Sequence, residues 1–502
     1  MKTFKIDRSF GVLMNISSLP NEFGIGGFGD EIAEFVDFIK SVGGKWWQVL
    51  PITAIGLGNS PYSSFSANAG NFLYIDTKTL YYDGFITTDI YERTIYNGSE
   101  YSVDYDFVKA SKREALEFAY NNFFDNQKLL SYESENAWVA DYAMYMTLKA
   151  VNKQLPWWEW QAEHKNYNST LLQKVKQEYN KNYYYYVFEQ YIFNSQWKRK
   201  KQYINQNGIK IIGDMPIYVS HDSVDVWANQ KYFDLNAEGK LNKVAGVPPD
   251  YFSKTGQLWG NPLYNVEAIK KDKYAWFLQR FARQNELYDA VRLDHFRGYS
   301  RYWAVSSAET TAVNGEWVEG FGINLFKLID KTFPNLIIIA EDLGILDVQV
   351  LELLEQTNYP CMRVMQFAFA DGDSIHLPHN YEKNMVAYTA THDNSTSFAY
   401  LYNLSTELRE YVYKYLECDM SSWYEGGFNC LGTKAMIKCL IKSSSNLAIV
   451  PLQDFMGFGD DARINIPGTA TGNWIYRTTS EFMQNVNKKY FLDLNNLYGR
   501  NK

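Results

Sequence analysis

The amino-acid sequence predicts an α/β fold, a (β/α)8 TIM barrel with insertions after its second and third strands. Eight short apolar runs rich in β-branched residues recur along the chain, and segments with helical periodicity separate them. Five of these runs end in a carboxylate or a histidine. The whole chain, residues 1–502, is long enough to form one such barrel with its insertions as a single domain.

The connections between the runs differ widely in length. In chain order the runs are GVLMNI (11–16), WWQVLP (46–51), IKIIGDM (209–215), DAVRLDH (289–295), LIIIAEDLG (336–344), MRVMQFAF (362–369), MVAYTATHD (385–393) and LAIVPLQD (447–454). A segment with helical periodicity and a glycine stop signal, FGDEIAEFVDFIKSVGG, follows the first run. The second and third connections are the long ones, which predicts a mostly helical insertion within 72–205 and another insertion within 220–285.

Composition excludes several classes of partner. The chain has 49 Lys and Arg against 57 Asp and Glu, a net charge of −8 without long blocks of one sign, so we expect neither nucleic acid nor membrane as a partner. No run has the length of a transmembrane helix and no leader pattern begins the chain, which predicts a cytoplasmic protein. Four cysteines without CxxC spacing indicate reduced thiols, and aromatic residues at 17% suit either core packing or stacking on sugars.

Acidic residues and histidines at the ends of the runs are the candidate chemistry. They are Asp214, Asp294 with His295, Glu341 with Asp342, His392 with Asp393, and Asp454. The carboxyl ends of barrel strands meet at one mouth, where barrel enzymes carry their active sites. A single acid there could be only a helix cap, but five such ends are poorly explained that way. Phosphate-loop, hydrolase-elbow and HExxH zinc motifs are absent from the sequence.

The spacing around these acids indicates glycoside chemistry. Two carboxylates across a glycosidic bond can act as nucleophile and as general acid/base. Asp294 is the candidate nucleophile, because Arg292 lies two positions earlier on the same strand face and favours its ionised form. Glu341 follows the apolar run LIIIA, which predicts a raised pKa suited to a proton donor. Asp393, beside His392, is the candidate that binds sugar hydroxyls and stabilises a cationic transition state.

Several longer motifs carry a resemblance to a known family. VRLDHF, IIAEDLG and TATHDN, preceded by GDMPIYV, resemble the α-amylase clan of glycoside-acting barrels. More specific are LPITAIGLGNSPYSSFSANAGN, GVPPDYFSKTGQLWGNPLY, MRVMQFAF with HLPHNY, and PLQDFMGFGDDARINIPGTATGNW. Together, and in this order, they resemble the 4-α-glucanotransferase family, also called amylomaltases or disproportionating enzymes.

The resemblance implies a retaining transfer of α-1,4-glucan segments through a covalent glycosyl-enzyme on Asp294. It implies Glu341 as acid and then base, and Asp393 as transition-state stabiliser. The implied substrates are maltooligosaccharides and other α-1,4-glucans, with glucose as acceptor or by-product, and neither a metal nor an organic cofactor is expected. The implied substrate contacts are Arg292, His392, Asp214 and His295, and nearby Tyr62 is a candidate for packing or for sugar contact.

A lid over the mouth is the feature expected to favour transfer over hydrolysis. The segment 246–262, within the second insertion, is the candidate lid, with Tyr251, Phe252 and Trp259 as stacking surfaces. The chain departs from the family's usual pattern at Asn15, where a His is common, and at Leu57, where a Tyr is common. In the run YDAVRLDHFRGY, Arg297 is expected to form a structural ion pair rather than a sugar contact.

Three other functions are consistent with the same residues. An α-glucan hydrolase on this barrel would use the same carboxylates with water as the acceptor. A Mg²⁺-dependent lyase or isomerase could use Asp294, Glu341 and Asp393 as ligands, although Arg292 and His392 so close by disfavour a bound cation. A non-catalytic glucan-binding barrel is the third alternative, and it predicts that Asp294→Asn leaves turnover unchanged.

Overall fold

The computed structural model describes residues 6–249, 253–344, 346–370 and 372–502, and these contain twelve strands. The strands are β1 (Ser9–Leu13), β2 (Trp46–Gln48), β3 (Lys210–Met215), β4 (Lys243–Val247), β5 (Gln257–Pro262), β6 (Ala290–Leu293), β7 (Arg301–Ser306), β8 (Gly315–Glu319), β9 (Ile337–Ala340), β10 (Cys361–Val364), β11 (Met385–Tyr388) and β12 (Leu447–Pro451). Eight of them close into a parallel barrel in the order β1, β2, β3, β6, β9, β10, β11, β12. The predicted barrel is therefore confirmed, and each predicted run overlaps one barrel strand.

Side chains that alternate between the two faces of the barrel strands form two separate apolar layers. One buried side chain or more from each strand fills the interior, among them Leu13, Trp46, Ile212, Ala290, Ile339, Met362, Tyr388 and Ile449. Their neighbours in sequence, such as Val12, Val291 and Leu293, face the other way and join the large cluster formed with the surrounding helices. Glycine is required at position 11, because a Cβ there would lie 2.8 Å from the Cβ of Trp46 on the neighbouring strand.

Helices occupy the connections between the strands. Those before β3 are α1 (Glu31–Ser41), α2 (Thr77–Tyr82), α3 (Thr88–Arg93), α4 (Tyr105–Asn121), α5 (Asn126–Glu135), α6 (Ala137–Val151), α7 (Ala162–Lys165), α8 (Ser169–Glu178) and α9 (Asn180–Gln206). Those between β3 and β10 are α10 (Val224–Ala228), α11 (Val266–Lys271), α12 (Ala275–Leu287), α13 (Arg297–Ser300), α14 (Ile323–Thr332) and α15 (Val348–Thr357). The remainder are α16 (Ser397–Tyr402), α17 (Thr406–Tyr415), α18 (Leu431–Lys442), α19 (Leu452–Met456), α20 (Ser480–Asn485) and α21 (Lys488–Leu497). Across the described ranges, none of these helices is both long and apolar enough to cross a membrane.

Two of the helices near the barrel mouth begin at a side-chain cap. Thr396 accepts a hydrogen bond from the backbone N–H of Ala399 at the start of α16, and Asp347 accepts one from Val350 at the start of α15. Such caps fix where the chain turns from a strand end into the following helix. They therefore help to set the positions of the loops that border the mouth.

A second sheet lies outside the barrel, and the sequence did not predict it. β5, β4, β7 and β8 pair antiparallel in that order. The first two belong to the connection after β3 and the other two to the connection after β6. Exposed and partly exposed residues interrupt these strands, as in Gln257–Pro262, so they lack the continuous apolar signature of the barrel strands. The connection after β6 thus adds structure beyond the two predicted insertions, whose boundaries remain predictions.

Candidate active site

Strand register brings three of the predicted acids to one part of the mouth. β3, β6 and β9 are neighbours, with Asp214 paired to Arg292 and Leu293 paired to Ala340. The ladder continues past the strand ends, since the Asp294 N–H donates to the Met215 carbonyl (3.1 Å) and the Glu341 N–H to the Leu293 carbonyl (3.1 Å). Asp294 and Glu341 therefore leave adjacent strands at the same level.

Arg292 lies between two carboxylates. Its guanidinium nitrogen Nη1 donates to both carboxylate oxygens of Asp214 at 2.8 Å, and Nη2 lies 3.0 Å from Oδ1 of Asp294. Although desolvation opposes the charge, Asp214 and Asp294 hold the pKa of Arg292 well above its ordinary value. Desolvation likewise raises the pKa of Asp294, and the Arg292 charge acts against that rise. The Asp294 side chain is 31% exposed, so its carboxylate opens onto the mouth.

Glu341 is set up as a proton donor by burial. Desolvation raises the pKa of its carboxyl from 4.5 to about 7, against the lowering effect of Arg292. Its two oxygens accept from the backbone N–H groups of His295 (2.7 Å) and Leu343 (2.8 Å), which fix the carboxyl beside Asp294. A carboxyl with a pKa near neutrality can both give and take a proton at physiological pH.

Asp393 enters the site from the neighbouring part of the mouth, after β11. Its Oδ1 accepts from the Asn465 side chain at 2.6 Å, and its Oδ2 lies 3.3 Å from Nε2 of His392. Arg463 donates to the Asp393 backbone carbonyl at 2.6 Å. The side chain of Asp393 is 42% exposed, so it can reach a ligand while its position is held by two residues of the 460s segment.

Tyr62 closes the side of the pocket between the two groups of acids. Its hydroxyl donates to Oδ2 of Asp214 at 2.7 Å, and its ring stacks on His392 with centroids 5.2 Å apart and planes inclined by 14°. Desolvation and Asp214 raise the pKa of Tyr62 well above its ordinary value, so the hydroxyl keeps its proton. Trp474 packs against both rings, at 5.8 Å from Tyr62 and 6.1 Å from His392.

His295 and Trp259 form the opposite wall. His295 has a left-handed backbone conformation (φ 50°), and desolvation followed by the Arg297 charge lowers its pKa to about 3, so its ring is neutral. The edge of the Trp259 ring meets His295 at a centroid distance of 4.7 Å. Trp259 belongs to β5 and is 37% exposed. A neutral imidazole beside an exposed indole offers a polar and an apolar contact to a sugar.

The structure brings together nine of the predicted site residues, while two lie outside the described residues. Brought together are Asp294, Glu341, Asp393, Arg292, Asp214, His392, Tyr62 and Trp259, with His295 joining Trp259 to Glu341. Tyr251 and Phe252 fall outside the described residues, as does the side chain of Leu57. Asn15 is buried and donates to the Ser17 hydroxyl at 2.6 Å.

Two acids at the strand ends are structural. Asp342 accepts from the Met362 N–H (2.7 Å) and pairs with Arg363 (2.8 Å), while Asp454 accepts from the N–H and hydroxyl of Ser397. Arg297 pairs with Asp347 at 3.0 Å and stacks over the Trp317 ring, as expected of a structural residue.

Sequence reasoning missed Asn465, Arg463 and Trp474, whose only signal was that they lie inside one of the long family-like motifs.

Comparison with known proteins agrees with this geometry. A model of glycoside hydrolase family 77, described as 4-alpha-glucanotransferase, matches residues 14–483. The 4-alpha-glucanotransferase of Aquifex aeolicus is 40% identical over 496 residues, covering 98% of this chain and 99% of the relative. That of Clostridium butyricum is 40% identical over 493 residues, covering 97% of this chain and 100% of the relative.

A solved structure agrees over the whole fold. The amylomaltase from Streptococcus agalactiae, determined in complex with acarbose, superposes with a TM-score of 0.93 at 37% identity, covering 98% of this chain and 99% of that one. The match in sequence and in structure extends over nearly the full length, including the insertions. The chain therefore belongs to the 4-alpha-glucanotransferase family.

Proposed function

We propose that the chain transfers α-1,4-glucan segments between maltooligosaccharides by a retaining, double-displacement mechanism centred on Asp294 and Glu341. One observation carries these roles. Asp294 is ion-paired with Arg292 at 3.0 Å, while Glu341, fixed beside it by the His295 N–H, has its pKa raised to about 7. Two adjacent carboxyl groups in such different environments suit a nucleophile and a proton donor.

In the first displacement, the Asp294 carboxylate attacks the anomeric carbon of the bound donor. The bond from that carbon to the glycosidic oxygen breaks, and the protonated Glu341 carboxyl gives its proton to the departing 4-oxygen. The products are a covalent glycosyl ester on Asp294, the released reducing-end sugar and an ionised Glu341. Arg292 stays paired with Asp214 throughout. The guanidinium therefore keeps a partner when Asp294 forms the ester and loses its negative charge.

In the second displacement, the roles of Glu341 reverse. Its carboxylate removes the proton from the 4-hydroxyl of an incoming glucan or glucose, and that oxygen attacks the anomeric carbon. The ester bond breaks, Asp294 is released as a carboxylate, and two inversions restore the original configuration. Because the pKa of Glu341 is about 7, both its protonated and its ionised forms are well populated at neutral pH.

The remaining residues hold the sugar at the cleavage point. Asp393, anchored by Asn465 and Arg463, presents a carboxylate that can accept sugar hydroxyls and favour positive charge at the anomeric carbon. Tyr62 offers a ring face beside the pocket, and the neutral His295 ring can bond a hydroxyl. The acarbose complex of the Streptococcus agalactiae relative supports an α-glucan ligand for this mouth.

Transfer rather than hydrolysis requires that water be kept from the glycosyl-enzyme. The hairpin of β4 and β5 carries Trp259 against His295 at the edge of the mouth, where the indole can hold an acceptor sugar. The lid role of 246–262, including Tyr251 and Phe252, remains a prediction. A cytoplasmic location is part of this proposal, and the four free cysteines are consistent with it.

The experiment that tests this function is incubation of the full chain with maltotriose, with products separated by size. We expect glucose together with a ladder of longer maltooligosaccharides, and we expect Asp294→Asn to lower turnover by roughly a thousandfold or more. Asp493→Asn, an exposed change on α21, is the matched control and should leave the ladder unchanged.

Each alternative function predicts a different result. A rise in reducing ends without longer products would replace transferase by hydrolase. Loss of activity in excess EDTA would favour the metal-dependent lyase or isomerase. We expect no such loss, because the Arg292 guanidinium occupies the position between Asp214 and Asp294. Full turnover by a correctly folded Asp294→Asn variant would remove Asp294 from the nucleophile role.

A further inference from the structure

The connection between β11 and β12 carries a contiguous group of three aromatic rings, two exposed and one partly exposed. Tyr402, at the end of α16, is 47% exposed, and Tyr424 is 57% exposed. The Trp423 ring lies between them, with centroids 5.4 Å from Tyr402 and 6.0 Å from Tyr424. We call Tyr402, Trp423 and Tyr424 the aromatic platform. Single exposed aromatic residues are ordinary on protein surfaces, but adjoining exposed rings indicate a binding surface.

Arg409 holds the platform from behind. Its guanidinium carbon lies 3.6 Å from the centroid of the Trp423 ring. Its nitrogens donate to the backbone carbonyls of Leu401 (3.3 Å), Tyr402 (2.7 Å) and Leu404 (2.7 Å), at the carboxyl end of α16. One cation–π contact and three hydrogen bonds therefore tie Trp423 to the helix end that bears Tyr402. The rings are oriented before any ligand arrives, which lowers the entropic cost of binding.

The platform borders the side of the barrel that holds the catalytic mouth. The loop that bears Trp423 and Tyr424 returns to the barrel through the Gly427 N–H, which donates to the Gly457 carbonyl at 2.8 Å, just past β12 and α19. At the start of α16, the Thr396 N–H donates to Asp460 at 3.1 Å, three residues after Asp393. Both ends of the segment are thus anchored to the rim beside Asp393.

We propose that the aromatic platform is a second binding site for α-1,4-glucan, outside the catalytic mouth, that engages long chains. The inference rests on the proposed function, because the occupant is the substrate polymer itself. The apolar C–H faces of glucose rings can stack on the two exposed phenol rings and on the partly exposed indole between them, and the tyrosine hydroxyls can bond sugar hydroxyls.

The size of the platform favours a glucan over a second copy of the chain. Three aromatic side chains can bury at most about 150–250 Å² each, and much of this area is already covered. A stable protein interface buries roughly 1,200 Å² or more in total. A narrow chain of sugar rings, held at the same time in the catalytic mouth, needs far less area at the second site, because the tether raises its local concentration.

The consequence is a dependence of affinity on substrate length. The inference requires that a short donor such as maltotriose fill the mouth alone, so that its kinetics do not depend on these rings. Amylose can occupy both sites at once, and the second contact lowers its KM without changing the chemical step. The platform therefore contributes to selection of long donors.

The test compares amylose and maltotriose in the double variant Tyr402→Ala/Tyr424→Ala, which leaves Trp423 and Arg409 in place. We expect KM for amylose to rise at least fivefold while kcat on amylose and both constants on maltotriose stay within twofold of the wild type. Retention of the variant in gels containing amylose should fall by the same factor. Tyr203→Ala, on α9 near the amino ends of the strands and 36% exposed, is the matched control and should change none of these.

The remaining outcomes each overturn the inference. An unchanged KM for amylose in the double variant would remove the platform as a glucan site. Equal rises in KM for maltotriose would show that the change acts on the mouth instead. A change in oligomeric state by light scattering would assign the rings to contact between copies. If the wild type itself fails to elongate maltotriose, the proposed function fails, and this result is distinct from the three others.

Discussion

At the scale of single residues, the site depends on how the Arg292 guanidinium is shared between two carboxylates. Arg292 contacts Asp214 through two oxygens and Asp294 through one, so Asp214 fixes the guanidinium and Asp294 keeps a free oxygen for the anomeric carbon. Glu341 has no ion pair with a cation among the described residues, and desolvation raises its pKa to about 7. Of the two carboxyl groups at these adjacent strand ends, Asp294 is therefore the one that the arginine contacts directly.

The raised pKa of Glu341 predicts an alkaline limb in the pH profile. The first displacement needs the protonated form, so kcat/KM for maltotriose should fall as pH rises through about 7. With α-maltosyl fluoride as donor, the leaving fluoride needs no proton, and the limb should be absent from the rate of fluoride release. An identical limb with both donors would show that another group is responsible.

Glu341 also predicts a pH dependence of folding. Its folded-state pKa of about 7 exceeds the unfolded value near 4.5, so the group's contribution to stability is full below pH 4.5 and is lost as pH rises through 7. The loss is on the order of 3 kcal/mol, at about 1.36 kcal/mol per pKa unit. The free energy of unfolding, measured in urea, should fall more between pH 5 and pH 8 for the wild type than for Glu341→Gln. Equal decreases in the two proteins would contradict the raised pKa.

Replacing Arg292 by lysine tests its effect on the nucleophile. Lysine keeps the charge but has a single nitrogen, so it cannot place separate donors against Asp214 and Asp294 as Nη1 and Nη2 of Arg292 do. Desolvation would then raise the pKa of Asp294 with less opposition, and the acid limb of kcat/KM should move to higher pH. We expect kcat to fall by roughly tenfold to a hundredfold. An unmoved acid limb would mean that Arg292 serves binding alone.

Sequence reasoning identified the residues attached to strand ends and missed those on irregular segments. Arg292, Asp294, Glu341 and Asp393 follow apolar runs whose period and position fix their place in a barrel. Trp474 lies in a loop at φ 66°. Only long-range packing carries such a segment to Tyr62, and neither periodicity nor turn composition encodes that approach.

At the scale of elements, equivalent positions at strand ends serve different purposes. Asp454 follows β12 as Asp294 follows β6, yet its carboxylate is fully used by Ser397 and Thr389. It joins the start of α16 to α19, and burial raises its pKa against these hydrogen bonds. Its hydrogen bonds to side chains of the fold, rather than its place after a barrel strand, therefore mark Asp454 as structural.

Asp454→Ala should therefore lower stability and leave the chemistry intact. Three hydrogen bonds to a charged group are lost and Ser397 keeps unpaired donors, which should lower the free energy of unfolding by about 2–4 kcal/mol. Thermal unfolding and kcat on maltotriose, measured well below the midpoint, check this. Asp461→Ala is the control, and a thousandfold loss of kcat in folded Asp454→Ala would assign Asp454 to the reaction.

Prediction of strands from the sequence fails where the strands are half exposed. All eight barrel runs are buried on both faces and stand out as continuous apolar segments. β5 and β8 are mostly exposed, and the sheet forms only because β4, after β3, pairs with β7, after β6. Strand pairing between distant segments is set by tertiary packing, so the second sheet that carries Trp259 could not be located from local pattern.

At the scale of the whole molecule, the two ends of the chain meet to close the barrel. β1 and β12 are neighbours in the sheet, with Ser9 paired to Leu447. Arg500, fully buried, donates to the backbone carbonyls of Ser9 (3.0 Å), Ile441 (2.8 Å) and Ser443 (3.1 Å). Its contacts join the first strand to the segment just before the last one. Burial, followed by the nearby Arg8 charge, lowers the pKa of Arg500 to about 9, so it still carries its charge at neutral pH.

Arg500→Met should therefore weaken the closure of the barrel without altering catalysis. The variant removes a buried, charged donor of several hydrogen bonds to backbone carbonyls, which should lower the free energy of unfolding by about 2–5 kcal/mol and with it the denaturant midpoint. The seam lies at the amino ends of the strands, whereas Asp294 and Glu341 lie at the carboxyl ends, so kcat and KM on maltotriose should match the wild type in dilute buffer. Lys489→Met on exposed α21 is the control. A lowered kcat with an unchanged midpoint would mean that the two ends of the barrel are coupled in catalysis rather than separate in function.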